Sequence, residues 1–315
     1  MSNPTVCISI LLLMNVFWSG ANAVVKYGLG SMDPLVLVFW RVLLGLIILL
    51  SWIIIRRYPL NLDLRDGLRI VFAGLCLAAS NILIVTGIEL SHATDASLLF
   101  VFEPVWGIVL ATIILKERLL PTTVIALMLV LGGLLGLSGF DLHKFLDIVG
   151  NNGVGLGNVL IVTGIMSEGL FTIIINPVAT KRPAPVIISG VLLTALLVLS
   201  LPIYFRGGIS IEIAPASLFA IIYLGLICTA CGYTLWIAIM KSVPVNVMLF
   251  TIFLQPIAGT LIAATTLGEP IDKRLLTGGT LLIAGMAFAV IGHVRASRKD
   301  KRISLDPAFA NAPGI

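Results

Sequence analysis

The chain has 315 residues, of which 59% are apolar and only 11% charged, with a mean hydropathy of +1.12. A soluble domain of this length needs far more surface charge, so that class is excluded. The net charge of +5 is no nucleic-acid signal, because the basic residues follow the connections between apolar runs.

Ten apolar runs are predicted as membrane-spanning helices: about 6–28, 34–55, 68–89, 91–114, 121–140, 154–177, 185–205, 215–238, 244–267 and 274–293. Each is long enough to cross a hydrocarbon core of roughly 30 Å. Lipid offers backbone groups no outside partner, so continuous runs predict helices, and barrel strands would need short alternating segments. The expected fold is an all-α integral membrane bundle.

Span 1 carries Asn15, Ser19, Asn22 and Lys26 at helical spacing, bordered by Trp18. Ala21-Asn22-Ala23 has the look of a signal-peptidase site, but no Lys or Arg precedes the apolar stretch and the run continues past it, so it is kept as a span. Span 2 holds Arg41, a buried cation that calls for a carboxylate. Asn81 is midway along span 3. Glu103 sits near the centre of span 4, followed by Pro104 and Trp106. A carboxyl at that depth costs on the order of 3 kcal/mol, so it is expected to face a cavity or a partner and to do work there. Span 6 repeats the pattern with Glu168, Thr172 and Asn176, span 8 with Thr229, Tyr233 and Trp236, and span 9 with Gln255 and Pro256.

Inward polar groups serve either as substrate contacts or as glue between helices. The substrate-binding candidates are Trp18, Asn22, Asn81, Glu103, Trp106, Glu168, Tyr233, Trp236 and Gln255. The aromatic members suggest a pocket with flat apolar walls, able also to grip a cation. Glu103 and Glu168 are candidates for exchanging a proton against substrate. Lys26 and Arg41, with Glu89 and Asp95, lie toward the outer ends of spans 1 to 4 as a candidate gate. Pro104 and Pro256 are candidate hinges, since proline removes a backbone bond and kinks a helix. Glu117 and Glu269 fall in short turns and are read as caps of the next helix or partners of Arg118 and Arg274.

Cys7, Cys76, Cys228 and Cys231 all lie in apolar runs, where packing is a better reading of Cys228-x-x-Cys231 than redox or zinc chemistry. His92, His143 and His293 lie at span ends or in loops, and neither HExxH nor GxSxG occurs, so no enzyme activity, cofactor or metal is expected.

The chain also contains itself twice. Glu103-Pro104 meets Gln255-Pro256 at an offset of 152 residues, where Leu115 meets Leu267, Glu117 meets Glu269 and Gly133 meets Gly285. Upstream, Trp18 and Glu168 both stand mid-span in the first helix of their halves. Five spans per half is an odd number, so the second copy enters from the opposite side. Inverted repeats of this kind place a substrate site near the midplane between halves that rock. The expected organisation is residues 1–145 and 152–294 as the two five-helix repeats, then a basic cytoplasmic tail over 295–315, without structure on the inner leaflet. With the N-terminus inside, fourteen of the twenty Lys and Arg fall in inner segments, which predicts both termini cytoplasmic in an inner membrane.

The order and spacing of Phe17-Trp18-Ser19-Gly20-Ala21-Asn22, Pro34 with Arg41, Glu103-Pro104, Leu115-Lys116-Glu117-Arg118-Leu119, Gly232-Tyr233-Thr234-Leu235-Trp236, Gln255-Pro256 and Leu267-Gly268-Glu269 resembles the drug/metabolite transporter superfamily, within it the EamA-type ten-span families. The resemblance covers about residues 10 to 293. It implies a cavity lined mainly by spans 1, 3, 4, 6, 8 and 9, and the movement of small organic solutes, often the export of amino acids or other metabolites. A proton-coupled multidrug or organic-cation efflux carrier is the alternative, and a channel or a membrane assembly protein is the rival from another class. Expected partners are a small-molecule substrate, the lipid bilayer and protons as candidate coupling ion, with no nucleic acid. Gly132-xxx-Gly136 leaves monomer and homodimer both open.

Overall fold

The computed structural model describes residues 4–28, 32–90, 99, 102–117, 120–138, 154–205, 208, 213–267 and 273–305. Ten helices run through them: α1 Pro4–Gly28, α2 Pro34–Arg56, α3 Leu64–Leu90, α4 Phe102–Ile114, α5 Pro121–Ser138, α6 Val154–Ala179, α7 Ala184–Phe205, α8 Pro215–Ile239, α9 in two pieces (Val245–Ile252 and Leu254–Leu267) and α10 Lys273–Leu305. No strand occurs among the described residues. Five helices (α2, α3, α6, α7 and α8) contain stretches both long and apolar enough to cross a membrane, and the other five carry shorter apolar stretches.

Local chemistry sets the ends. The Asp33 carboxylate accepts from the N–H of Leu35 (2.8 Å) and Val36 (3.3 Å), and Pro34 opens α2 where no N–H is needed. Arg57 takes a left-handed conformation (φ 51°) that closes the same helix. Lys116 does likewise after α4 (φ 55°), with the Glu117 N–H reaching back to the Ala111 carbonyl at 3.3 Å. Two expectations are corrected. α3 begins at Leu64, four residues early. α10 continues as helix to Leu305, so 295–305 is not a structureless tail: Ala, Arg and Lys are strong helix formers and no Gly or Pro interrupts them. Residues 306–315 lie outside the described residues.

The helices pair across the two halves. α3 packs along α6 and α5 along α10, with α2 on α7, α1 on α8 and α9, and α4 on α6 and α9. Glycines let these backbones approach. A side-chain carbon at Gly133 would come within 2.7 Å of the Gly278 carbonyl and 2.9 Å of the Leu282 N–H. Gly285 faces the Ala126 carbonyl (2.8 Å) and the Val130 N–H (3.2 Å). Gly278 and Leu282 are the residues 152 places after Ala126 and Val130, so the α5–α10 seam is two copies of one contact. Nearer the start of each half the offset shifts: Gly74 meets the Val191 carbonyl and Thr194, while Gly225 meets the Arg41 carbonyl and Leu44, offsets of 150 and 151. The structure is thus two inverted five-helix repeats, with Trp18 and Glu168 at equivalent places.

Ile187, Leu192 and Leu199 of α7 are buried without exposure, packed among α2, α3 and α6. Ile54, Ile55, Leu197, Leu201, Tyr204 and Phe205 point outward, an apolar belt suited to lipid.

Candidate functional site

Between the repeats lies a small cavity of about 30 Å³. Trp18 of α1, Glu103 of α4, Glu168 and Thr172 of α6, and Tyr233 and Trp236 of α8 line it, with Phe171, Gly169, Leu249 and Ile252 completing the wall. Of the sequence-predicted residues, five meet here: Trp18, Glu103, Glu168, Tyr233 and Trp236. Glu103 comes from the first repeat and Glu168 from the second.

The aromatic wall is packed at tilted and edge-to-face angles. The Trp18 ring lies 5.9 Å from Tyr233 and 5.8 Å from Trp236, and Phe171 meets Tyr233 edge to face at 5.8 Å. Residues 223–233 of α8 are π-helical, a local widening that is frequent at functional sites. Trp18 Nε1 donates to the Cys228 carbonyl of that turn at 3.1 Å. Gly232 permits the approach, since a side-chain carbon there would sit 2.8 Å from Trp18 Nε1. On its other side Trp18 borders a wholly apolar groove of about 150 Å³ between α1 and α8, lined by Ile10, Leu13, Phe17, Ile227 and Leu235 among others. One indole ring therefore separates a polar cavity from an apolar one.

Glu168 is held by the Ser80 hydroxyl of α3, which donates to Oε2 at 3.2 Å. The neighbouring Asn81 does not line the cavity. Its Nδ2 donates to the Leu77 carbonyl (2.7 Å) and its Oδ1 accepts from Arg41 Nη2 (2.9 Å). Arg41 was expected to need a carboxylate; its hydrogen-bond partner is this neutral amide. Trp106 stands behind Gly169, donating from Nε1 to the Met166 carbonyl at 3.3 Å. Gln255 Nε2 donates to Asn15 Oδ1 (2.8 Å), and Asn15 donates to Thr251 Oγ1 (2.9 Å), a network between α1 and α9 beside the cavity. The side chains of Asn22, Lys26, Glu89 and Pro256 lie outside the described residues, as do Asp95, Arg118 and Glu269. Pro104 is the third described residue of α4, and of 91–101 only Leu99, itself helical, is described. The break in α9 falls at Phe253, three residues before Pro256, which has no N–H to give the carbonyl of Ile252 on the cavity wall.

Two contacts tie the repeats together away from the cavity. Glu117 Oε1 and Oε2 accept from the N–H of Val245 (2.8 Å) and Asn246 (2.9 Å), capping α9 of the other repeat instead of the next helix. Burial pushes this carboxyl up from its ordinary pKa, and the two N–H bonds pull it partly back. Arg182, between α6 and α7, pairs with Asp63 and with the buried Asp66 at the start of α3, both at 2.9 Å.

Sequence reasoning missed Phe171, Gly169, Leu249 and Ile252, because an apolar residue in an apolar run carries no mark of which way it faces. Helical spacing from Glu168 is the one signal that could have found Phe171.

The two-repeat architecture has a counterpart in known proteins. Residues 5–139 and 155–291 both match the EamA-like transporter family. The chain belongs to that family. A protein of Salmonella typhimurium described as a probable amino-acid metabolite efflux pump is 26% identical over 94% of this chain and 97% of its own length. The Escherichia coli protein of the same description is 24% identical over 90% of this chain and 94% of its own length. An uncharacterized transporter of Archaeoglobus fulgidus is 22% identical over 88% and 94%. A solved crystal structure superposes with a TM-score of 0.76 over 92% of this chain and 98% of that one; at 16% identity the likeness concerns the fold. As a family member the chain is a multi-pass membrane transporter and not an enzyme. Among the described residues no group of three or more His, Cys, Asp or Glu is placed to hold a metal ion.

Proposed function

We propose that this transporter exports small organic metabolites, amino acids or close relatives of them, across an inner membrane with both chain termini cytoplasmic. The observation that carries the reading is the meeting of Glu103 and Glu168, one from each repeat, on a single aromatic-walled cavity. Sites built between inverted repeats serve alternating access, in which one site faces each side in turn. The relatives described as efflux pumps support the substrate class and the direction. The excess of Lys and Arg in the inner connections supports the orientation.

In this conformation the cavity has room for about a water or two, so a metabolite enters only when the repeats part. Glu103 and Glu168 exchange a proton for the substrate's positive group. Trp18, Tyr233 and Trp236 hold its apolar body. The same rings around two carboxyls also favour a second reading, efflux of an aromatic-stacked organic cation.

The test compares the metabolites in the medium of cells overproducing the intact chain, Glu103→Gln at matched membrane levels, or neither. A compound enriched outside only by the intact chain names the substrate class and ties Glu103 to transport. Equal enrichment by both removes Glu103 from the mechanism. Enrichment of organic cations alone selects the second reading, and no difference from empty cells sinks the export reading.

A further inference from the structure

Among the described residues, one donor of Arg41 goes unsatisfied. Its Nη2 is taken by Asn81 at 2.9 Å, but its Nε–H is buried and meets no acceptor among the described residues. Among the described residues no carboxylate comes within ion-pair distance of it, the ion pairs there being those of Arg182. A guanidinium within a membrane bundle normally finds an anion, and a buried unsatisfied donor calls for an explanation.

The surroundings supply one. Asn81 is fixed by its own bond to the Leu77 carbonyl, so its oxygen aims at Arg41 without neutralising it. The residue before Asn81 is Ser80, which holds Glu168 on the cavity wall. Arg41 acts electrostatically on Glu168 and Tyr233, both of which line the cavity. α8 packs on α2 at this level, with Gly225 set against the backbone carbonyl of Arg41. The guanidinium is thus oriented, charged and beside the site, with its Nε–H unused. A carboxylate oxygen is the acceptor that an unused guanidinium N–H pairs with most strongly.

We propose that Arg41, oriented by Asn81, receives the carboxylate of a zwitterionic substrate whose ammonium group faces Glu103 and Glu168. The inference rests on the metabolite-carrier reading above and narrows it, from small organic solutes to compounds carrying both charges, as α-amino acids do. It divides the labour of the site. The acids and rings recognise the amine and the apolar side chain, and the cation on α2 distinguishes an amino acid from the amine lacking its carboxylate. Because the Nε edge is closed off in this conformation, the carboxylate reaches it only as the repeats part.

The experiment uses the full chain in proteoliposomes and measures initial uptake of L-leucine and L-phenylalanine beside their carboxylate-free counterparts, isoamylamine and phenethylamine. The variants are Arg41→Gln and Asn81→Asp. The second keeps the cation and gives it a permanent anion, so it carries the test if Arg41→Gln does not fold. Either variant should slow the amino acids by about tenfold or more, as expected for losing a charge-assisted pair, while amine uptake changes by less than about threefold. Amino acids and amines slowing together at unchanged melting temperature would give Arg41 a structural role and overturn the inference. Intact protein that moves the amines but neither amino acid would overturn it too, leaving a cation carrier. Intact protein that moves none of the four refutes the amino-acid substrate class and the inference together.

Discussion

Single side chains decide where this site begins and ends, and Trp18 is the clearest of them. It is positioned by a hydrogen bond to a π-helical carbonyl and by the missing side chain of Gly232, and it divides a polar cavity from an apolar groove. Gly232→Ala places a methyl group 2.8 Å from the indole nitrogen, so the ring must shift. The strain should cost about 1–3 kcal/mol of stability and slow transport several-fold more than that loss of folded protein accounts for. Flux and melting temperature, measured on one preparation, check this; flux falling only in step with folded protein would leave Trp18 without a dividing role. Glu117 yields a prediction of a different kind. Its pKa is raised in the folded protein, chiefly by burial. A raised carboxyl favours the fold at low pH, and that contribution is lost as pH rises from the unfolded value through the folded one. The melting temperature of the intact protein relative to Glu117→Gln should therefore decline across that window. A relative rise would mean that the two N–H bonds outweigh burial. Of the site itself, the polar and aromatic residues were legible, since a carboxyl or an indole deep in an apolar run declares that it faces inward. What each one touches was not. Asn81 and Gln255 look alike in sequence, and only the partner on another helix, Arg41 for one and Asn15 for the other, separates them from the residues lining the cavity.

At the level of helices, two irregularities bracket the site. The π-helical stretch of α8 and the break of α9 at Phe253 both lie at the cavity wall, beside Tyr233 and Ile252. Sequence anticipates the second, because Pro256 cannot donate to the Ile252 carbonyl. It gives no sign of the first, since a π turn depends on how neighbouring helices press on α8. Pro256→Ala restores the missing donor and allows α9 to run straight. Substrate binding should survive while turnover falls several-fold, if the break is where the helix bends during transport. Equal turnover in a binding-competent variant would count against the hinge. The extension of α10 to Leu305 shows a limit of reading by hydropathy, which marks where a helix leaves lipid and not where it stops.

For the molecule as a whole, the duplication seen in Glu103-Pro104 and Gln255-Pro256 proves to be a packing rule. Gly133 and Gly285 make the same contact with exchanged partners. Substituting either by Leu should destabilise the protein by a similar amount, about 1–3 kcal/mol or more where the backbone cannot yield. Denaturation of the two variants side by side would reveal unequal halves if one proved much the worse. The ties from Glu117 to α9 and from Arg182 to Asp66 were hidden in the sequence, because the partners lie more than a hundred residues apart in otherwise ordinary turns.

The α5–α10 seam has a consequence for ancestry. Two faces that meet through equivalent residues are what a pair of identical half-length polypeptides, inserted in opposite orientations, would present to each other. The present chain joins them covalently through the segment 139–153. Cutting the gene there and producing the halves as separate products should still yield a working carrier, reassembled in the membrane by the surfaces that pair in the intact chain.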